Sequence, residues 1–351
     1  MRTDGKARYN THVPPNIRDV AEAAGVSVTT VSHALSGRGR VAAATRERVL
    51  RIAEDVGYTA NAHAQRLVSG RSRTLAIQIA GFTSEGSPQL LPDAAFFLDV
   101  LNGAAGAAAA REYELVLAPY DLDPRRAQAL AIDGAVVVDP HGDEPLLSRL
   151  PERGIPIVTT GRPTTGAVRC PWIDNDHAGL AVRMLDHFAE MGYERPAVIA
   201  TTRTRSYVAD IVDAYGRWSR ERGLEPITVE LAEPPTERAA ARAAERLLTR
   251  ARAPDAVYAT YDRLALGVLR QAQELGLSVP DDVGIASAVD GDTLHWVSPN
   301  VTAASLNPRM IGRRAVEVLI DLAEGKHAAS GVMVPGRVVV RRSTQRRTAG
   351  G

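Results

Sequence analysis

Between residues 16 and 57 the apolar positions recur with helical spacing. Ile17, Val20, Ala21 and Ala24 fall at the i, i+3, i+4, i+7 positions of one face, with Asn16 placed to cap the start and Gly25 to end it. Ser27 caps a second run carrying Val28, Val31, Ala34 and Leu35, which stops at Ser36-Gly37. A third begins near Thr45, with Val49, Ile52, Ala53 and Val56 on one face and Gly57 behind it. Two short helices joined through Ala24-Gly25-Val26-Ser27 predict a helix-turn-helix, whose tight turn needs a glycine and whose close approach the small Ala21 permits. Residues 1–15 are polar, end in Pro14-Pro15 and read as a loose tail. The segment from Asn61 to Gly70 holds good helix formers for only about two turns, too short to be stable alone. It is either docked on something or folds conditionally, and Arg71-Ser72-Arg73 completes the linker.

From Thr74 the pattern changes to alternating strand and helix. Strand-like runs are Leu75–Ala80, Leu115–Ala118, Ala135–Val138, Ile157–Thr159, Ala197–Ala200, Thr228–Leu231, Ala256–Thr260 and Gly284–Ala288. Amphipathic stretches at Ala94–Arg111, Ala178–Met191, Tyr207–Arg222, Glu237–Arg252 and Leu264–Leu275 lie between them. Repeated β-α units imply parallel sheets with helices on both faces, and so many units fit two doubly wound lobes better than one sheet. Ligands bind such folds outside the carboxyl ends of the strands, here between the lobes.

Composition adds one asymmetry. The 351 residues carry 42 Lys+Arg against 41 Asp+Glu, yet residues 1–73 hold twelve basic and six acidic side chains. The head is therefore +6 and the remainder −5. That fits a polyanion-binding module on an acidic body, or an arginine-rich solvated face. The apolar runs fall short of bilayer length and the polar N-terminus leads into no signal segment, so a cytoplasmic protein with no membrane partner is expected. The single cysteine, Cys170, reads as a small buried thiol, and no Cys/His cluster has zinc spacing. There is no HExxH, GxSxG or Walker A pattern, and Gly37-Arg38-Gly39 lacks the third glycine of a dinucleotide fingerprint. No catalytic set, metal or cofactor is expected.

The run Asn16–Ser27, the following Val28–Ser36, Ala44-Thr45-Arg46-Glu47-Arg48-Val49 and Gly57-Tyr58-Thr59-Ala60-Asn61 resemble the LacI/GalR family of bacterial transcription regulators. Ala64-Gln65-Arg66-Leu67 resembles that family's hinge helix. In the body, Ile173-Asp174-Asn175, Asp176-His177-Ala178-Gly179, Tyr261–Gly267, Val279–Val283 and Val338–Thr344 are similar to its landmarks, in order, so the resemblance spans residues 16–344. It implies a fold of α plus α/β class. A three-helix helix-turn-helix head (16–60) and a hinge helix with linker (61–73) precede a two-lobed periplasmic-binding-protein-like core (74–345). In that core the chain crosses between lobes near 190 and 305. It implies a sequence-specific repressor whose operator affinity is controlled by a small effector. Such a protein would act as a homodimer on near-palindromic double-stranded DNA. No leucine-heptad tail follows Ser343 to suggest a tetramer.

Within that frame the recognition helix presents Val28, Thr29 and His33 on one face for base reading. Ser27, Thr30, Ser32, Ser36, Thr45 and Asn61 offer polar groups for phosphates. His33 stands where the family usually has Arg; it reaches guanine N7 or O6 without Arg's two-pronged fork. Leu67 is expected to wedge into the minor groove, with Ala64 and Arg66 alongside. The resemblance places effector contacts at Phe96, Phe97, Asp139, Asp174, Tyr261, Arg263, Asp290 and Trp296, although Asp262 next to Arg263 also suits a simple capping role. The family's pocket Arg falls by counting on Ile211, with Arg203 or Arg205 as substitutes under a shifted alignment. Three carboxylates, at Asp139, Asp174 and Asp290, converging without that Arg predict an uncharged sugar or polyol, or a cation, in preference to a phosphorylated or carboxylated effector.

Overall fold

The computed structural model describes residues 15–36, 39–58, 71–79, 94–119, 131–141, 144–164, 169–232 and 236–346. The chain divides into two units, Met1–Ser72 and Arg73–Gly351.

In the first unit, helices α1 (Ile17–Ala24), α2 (Val28–Ser36) and α3 (Ala43–Asp55) enclose Val20, Ala21, Ala24, Val31, Ala34, Val49 and Ala53. Val20, Val31 and Val49 lose all their exposure, each contributing about 1.5–3 kcal/mol of apolar burial. The start of α1 is fixed reciprocally: Arg18 N donates to Asn16 Oδ1 at 2.8 Å, and Asn16 N donates to Asp19 Oδ2 at 2.7 Å. Its end is a left-handed Gly25 at φ 62°, where the turn needs a residue without a Cβ. Helix α3 starts two residues before the expected Thr45. Ala42 precedes it without a side-chain cap, so Thr45 sits inside the first turn.

The second unit holds two six-stranded sheets. The first contains β1 (Thr74–Ile79), β2 (Glu114–Ala118), β3 (Gly134–Val138), β4 (Ile157–Thr160), β5 (Trp172–Asn175) and β11 (Gly331–Val334). They run parallel in the order β11-β5-β4-β3-β1-β2. Alternation along β3 sends Val136 and Val138 to one core and Ala135 and Val137 to another. Helices α4 (Ala94–Ala110) and α11 (Pro308–Ala323) cover the first face, and α5 (Pro145–Glu152), through Leu146, Leu147 and Leu150, covers the second. Helices α4 and α11 meet backbone to backbone. A Cβ at Gly103 would lie 1.9 Å from Arg309 O, and one at Gly312 would lie 1.9 Å from Val100 O.

The second sheet contains β6 (Pro196–Thr201), β7 (Ile227–Leu231), β8 (Ala256–Ala259), β9 (Gly284–Ser287), β10 (Thr302–Ser305) and β12 (Arg337–Val339). Its order is β12-β10-β9-β8-β6-β7, with β12 antiparallel to β10 and the other pairs parallel. Helices α6 (His177–Glu190), α7 (Ser206–Glu221), α8 (Glu237–Leu248) and α9 (Asp262–Glu274) pack on it, and α10 (Thr293–Trp296) follows β9.

The crossings differ from expectation. Ala181, Met184, Leu185 and Phe188 of α6 are buried in the second lobe's core, so the chain leaves the first lobe at Asp176, a whole helix before residue 190. It returns between Ser305 and Pro308, because Ile311, Ala315 and Leu319 of α11 belong to the first core. A third crossing, not expected, runs from Val334 to Arg337. One buried side chain ties all three: Asn175 Nδ2 donates to Leu306 O at 3.0 Å and to Val334 O at 2.8 Å. The Val338–Thr344 landmark is β12 followed by a clasp, in which Ser343 Oγ donates to Ile285 O and Thr344 Oγ1 meets His187 Nε2 at 2.7 Å.

Candidate functional site

On the head, the face of α2 opposite its buried Val31 and Ala34 carries the expected readers. Val28, Thr29 and His33 are all exposed, as helical spacing requires of residues off the core face. The His33 ring lies against Gly39, where a Cβ would come within 2.7 Å of Nδ1. Ser27 and Thr30 are partly committed: Thr30 N donates to Ser27 Oγ at 3.1 Å and the two hydroxyls bond at 2.8 Å. One hydroxyl proton of the pair is spent on the other hydroxyl, which leaves one outward O–H between Ser27 and Thr30 where two were expected. Ser32 and Thr45 are half-buried. Asn61, Ala64, Arg66 and Leu67 lie outside the described residues, as does the side chain of Ser36.

In the second unit a cavity opens at the carboxyl ends of the strands, between the lobes. Of the residues expected there, it gathers Phe96, Phe97, Asp139, Asp174 and Tyr261. It adds His177 and Tyr207, which sequence reasoning did not select. Tyr207 stacks edge-on to Tyr261 at 5.7 Å and against His177 at 5.4 Å, and Phe96 meets Phe97 edge-on at 5.6 Å. Burial holds the Tyr207 hydroxyl far above its ordinary pKa, so it remains a neutral donor.

Three expected contacts fall elsewhere. Arg263 does not line the cavity; its backbone N–H donates to Asp262 Oδ1 at 2.6 Å. Asp290 is held by Arg341 at 2.8 Å and His295 at 3.0 Å, beside a separate open recess shared with Phe96, Asp99 and Asp292. Trp296 is 88% exposed and covers nothing in the cavity.

The expectation of carboxylates without an arginine is overturned. Ile211 is buried in the second core, because that position of α7 faces inward with Ala214, Tyr215 and Trp218. Of the two substitutes, Arg203 pairs with Asp213 near the surface. Arg205, at the foot of α7 and 6% exposed, reaches across to Asp139, its Nη1 3.1 Å from the carbonyl oxygen and 3.9 Å from the carboxylate. Burial pushes the Asp139 carboxyl above its ordinary pKa; the Arg205 charge pulls it back and Asp174 adds to the rise.

A second arginine, Arg162, follows β4 and bonds Asp210 of α7 while its Nε lies 3.4 Å from Asp174 Oδ2. Burial likewise raises the Asp210 carboxyl, with Arg162 opposing. Arg162 N donates to Ser206 Oγ at 3.1 Å, and Thr164 Oγ1 lies 2.7 Å from His141 O and 2.6 Å from Thr204 O. Loop 161–164 of one lobe is thus strapped to residues 204–210 of the other. No group of three or more metal-ligating side chains occurs among the described residues. Nor is any described helix long and apolar enough to cross a membrane.

Comparison with known proteins bears on the family and the fold. Residues 16–61 match the family of bacterial regulatory proteins of the lacI type, and residues 185–344 match the periplasmic binding protein-like domain. The HTH-type transcriptional regulator CelR of Thermobifida fusca is 28% identical over 320 residues, 89% of this chain and 93% of its own. The HTH-type transcriptional repressor CytR of Escherichia coli K12 is 28% identical over 340 residues, 94% and 96% of the two chains. A CelR–cellobiose complex superposes with a TM-score of 0.68 at 26% identity, covering 94% of this chain and 99% of that one. The lac repressor dimer bound to operator and the anti-inducer ONPF superposes at 0.76 with 20% identity and the same coverage, a likeness of fold. The helix-turn-helix head, the two parallel-sheet lobes and these matches lead to one conclusion: the chain belongs to the LacI family of DNA-binding transcriptional regulators, a family without enzymatic activity.

Proposed function

We propose that this protein is a cytoplasmic repressor that reads a near-palindromic operator as a homodimer and is controlled by a neutral sugar or polyol held between its lobes. Val28, Thr29 and His33 read base edges; Ser27 with Thr30, Ser32, Ser36, Thr45 and Asn61 set the register on phosphates; Ala64, Arg66 and Leu67 enter the minor groove. The observation that carries the effector class is the charge balance of the cavity. Beside it, Arg162 is paired with Asp174 and Asp210 and Arg205 with Asp139, so among the described residues each of these two cations is already offset by carboxylates and is poorly placed to neutralise a phosphate. Aromatic walls beside hydrogen-bonding carboxylates suit the alternating apolar and hydroxyl faces of a pyranose. The likeness to a regulator solved with cellobiose supports the same class.

Calorimetry with neutral sugars, sugar phosphates and sugar acids tests it: a neutral saccharide is expected to bind, and tight binding of a phosphosugar rules the class out. A mobility shift on the DNA upstream of its own gene, in rising salt and with each binding sugar, tests the coupling. Operator affinity is expected to fall steeply with salt and to shift with the sugar.

A further inference from the structure

Helix α7 buries Tyr215 and Trp218 in the second core and leaves Asp213, Gly216, Arg217 and Arg220 on its outer side. With Arg203, from the turn after β6, and Thr228, on the edge strand β7, these residues line an open recess of about 390 Å³. It shares no residue with the cavity between the lobes.

The charges of this recess are unequal. Asp213 stands four residues before Arg217, the spacing at which a carboxylate offsets an arginine on the next turn of a helix. Here it bonds Arg203 instead. Arg217 and Arg220 are exposed and form no ion pair among the described residues. Three arginines against one aspartate leave the recess at +2, a local reversal of sign on a body that is −5 overall. Arg217 and Arg220 are also three residues apart on one helix, where like charges repel. Gly216 adds a second feature. A glycine inside a helix weakens it, and this one leaves the floor of the recess bare. The Arg220 guanidinium folds back over that floor, with Nη1 3.4 Å from where a Cβ would stand.

The charge left over selects the ligand class. A phosphate ester carries about −1.5 to −2 at pH 7, which matches two unpaired guanidinium groups; a carboxylate carries half as much. Phosphate oxygens also suit the forked donors of arginine, and Thr228 adds a hydroxyl. A water takes about 30 Å³, so a recess of this size holds a phosphate with room for the group that carries it.

We propose that this recess on the outer side of the second lobe is a second binding site, which holds the phosphate of a small monoester through Arg217, Arg220 and Thr228. Arg203 keeps Asp213 occupied and so leaves the other two arginines to the ligand.

Phosphorus NMR of the full chain at constant ionic strength, titrated with glycerol phosphate and with inorganic phosphate, tests it. The ester is expected to bind with a Kd of about 1 mM and the free ion more weakly. Arg217→Ala and Arg220→Ala should each weaken the ester by about fivefold to tenfold, the loss of a charge-assisted hydrogen bond. Arg242→Ala removes an exposed arginine of α8 and should leave affinity within about twofold. The arginine-rich head is common to all these variants, so its own attraction for phosphate drops out of the comparison. Ester binding that survives both Arg217→Ala and Arg220→Ala lies elsewhere and overturns the site, as does an equal loss in Arg242→Ala. Acetate competing as well as phosphate overturns the ligand class, and a free ion that binds as tightly as the ester overturns the monoester.

Discussion

The recognition face of the head and the cavity of the body solve recognition in opposite ways. Val28, Thr29 and His33 come from six consecutive residues of one helix and are exposed, with only the His33 ring resting against Gly39 among the contacts described above. The cavity draws Phe97, Asp139, Asp174, His177, Tyr207 and Tyr261 from segments spread over 165 residues, and most of them engage one another or the neighbouring Arg162 and Arg205. An exposed reading face needs only a helix held in place, whereas a buried polar site must first satisfy itself. Damage to the head is therefore expected to appear in DNA binding with little change in fold, and damage to the body to appear first in stability.

The largest effect tests the body. Gly312→Leu places a side chain where Val100 O lies 1.9 Å from the position of a Cβ, and is expected to destabilise the second unit by about 3–5 kcal/mol. Calorimetric melting should show a lowered body transition and an unmoved head transition; a head that melts with it breaks the separation. Asn175→Ala comes next. It leaves Leu306 O and Val334 O without their buried donor, and about 2–4 kcal/mol should be lost in urea titrations followed by tryptophan fluorescence.

His33→Ala reverses the pattern. Operator binding should weaken by about 1–2 kcal/mol, with random-DNA affinity, salt slope and melting unchanged. An equal loss on random DNA would make His33 a phosphate contact. The smallest effect concerns Asp262, whose carboxyl burial raises to about 6 against an ordinary 3.8, partly offset by the Arg263 backbone N–H. A pKa raised on folding means that the native state binds the proton more tightly, so stability falls as pH rises from about 4 to 6 and the cost persists above that range. Asp262→Asn should flatten this profile and gain about 1 kcal/mol at pH 7–8, read from urea midpoints across pH. A gain at pH 4 instead would reverse the sign of the argument.

How much was legible in the sequence follows the same division. The Asn16 cap, Gly25 and the two valine-bearing faces act over three or four residues, so spacing alone located them, while the return bond to Asp19 emerged only in the fold. The central strands declared themselves through runs such as Ala135–Val138, buried on both faces. β10, made of Thr302-Ala303-Ala304-Ser305, has too little apolar character to signal a strand, and β11 leaves Met333 half exposed at a sheet edge. α11 carries a local signal of its own, with Pro308 in its first turn and Ile311, Ala315 and Leu319 on one buried face. Asp139 and Asp174 were reachable through the family resemblance, which places effector contacts at the cleft where their strands end. Arg162, Arg205 and Asp210 were not, because each gains its role from a partner in the other lobe, and the strand order that brings them together is not a local property. The open choice between Arg203 and Arg205 turned on one turn of chain that only packing decides.

The amide of Asn175 has a mechanical meaning as well as an energetic one. All three passages of chain between the lobes are gathered at its Nδ2, so they cannot slide past one another independently. Sliding one passage past another would break a hydrogen bond of this buried amide, whereas turning the lobes about that fulcrum would spare both bonds. A displacement of the strap at loop 161–164 then becomes a swing of the far edge of each lobe that grows with distance from the fulcrum, as along the arm of a lever.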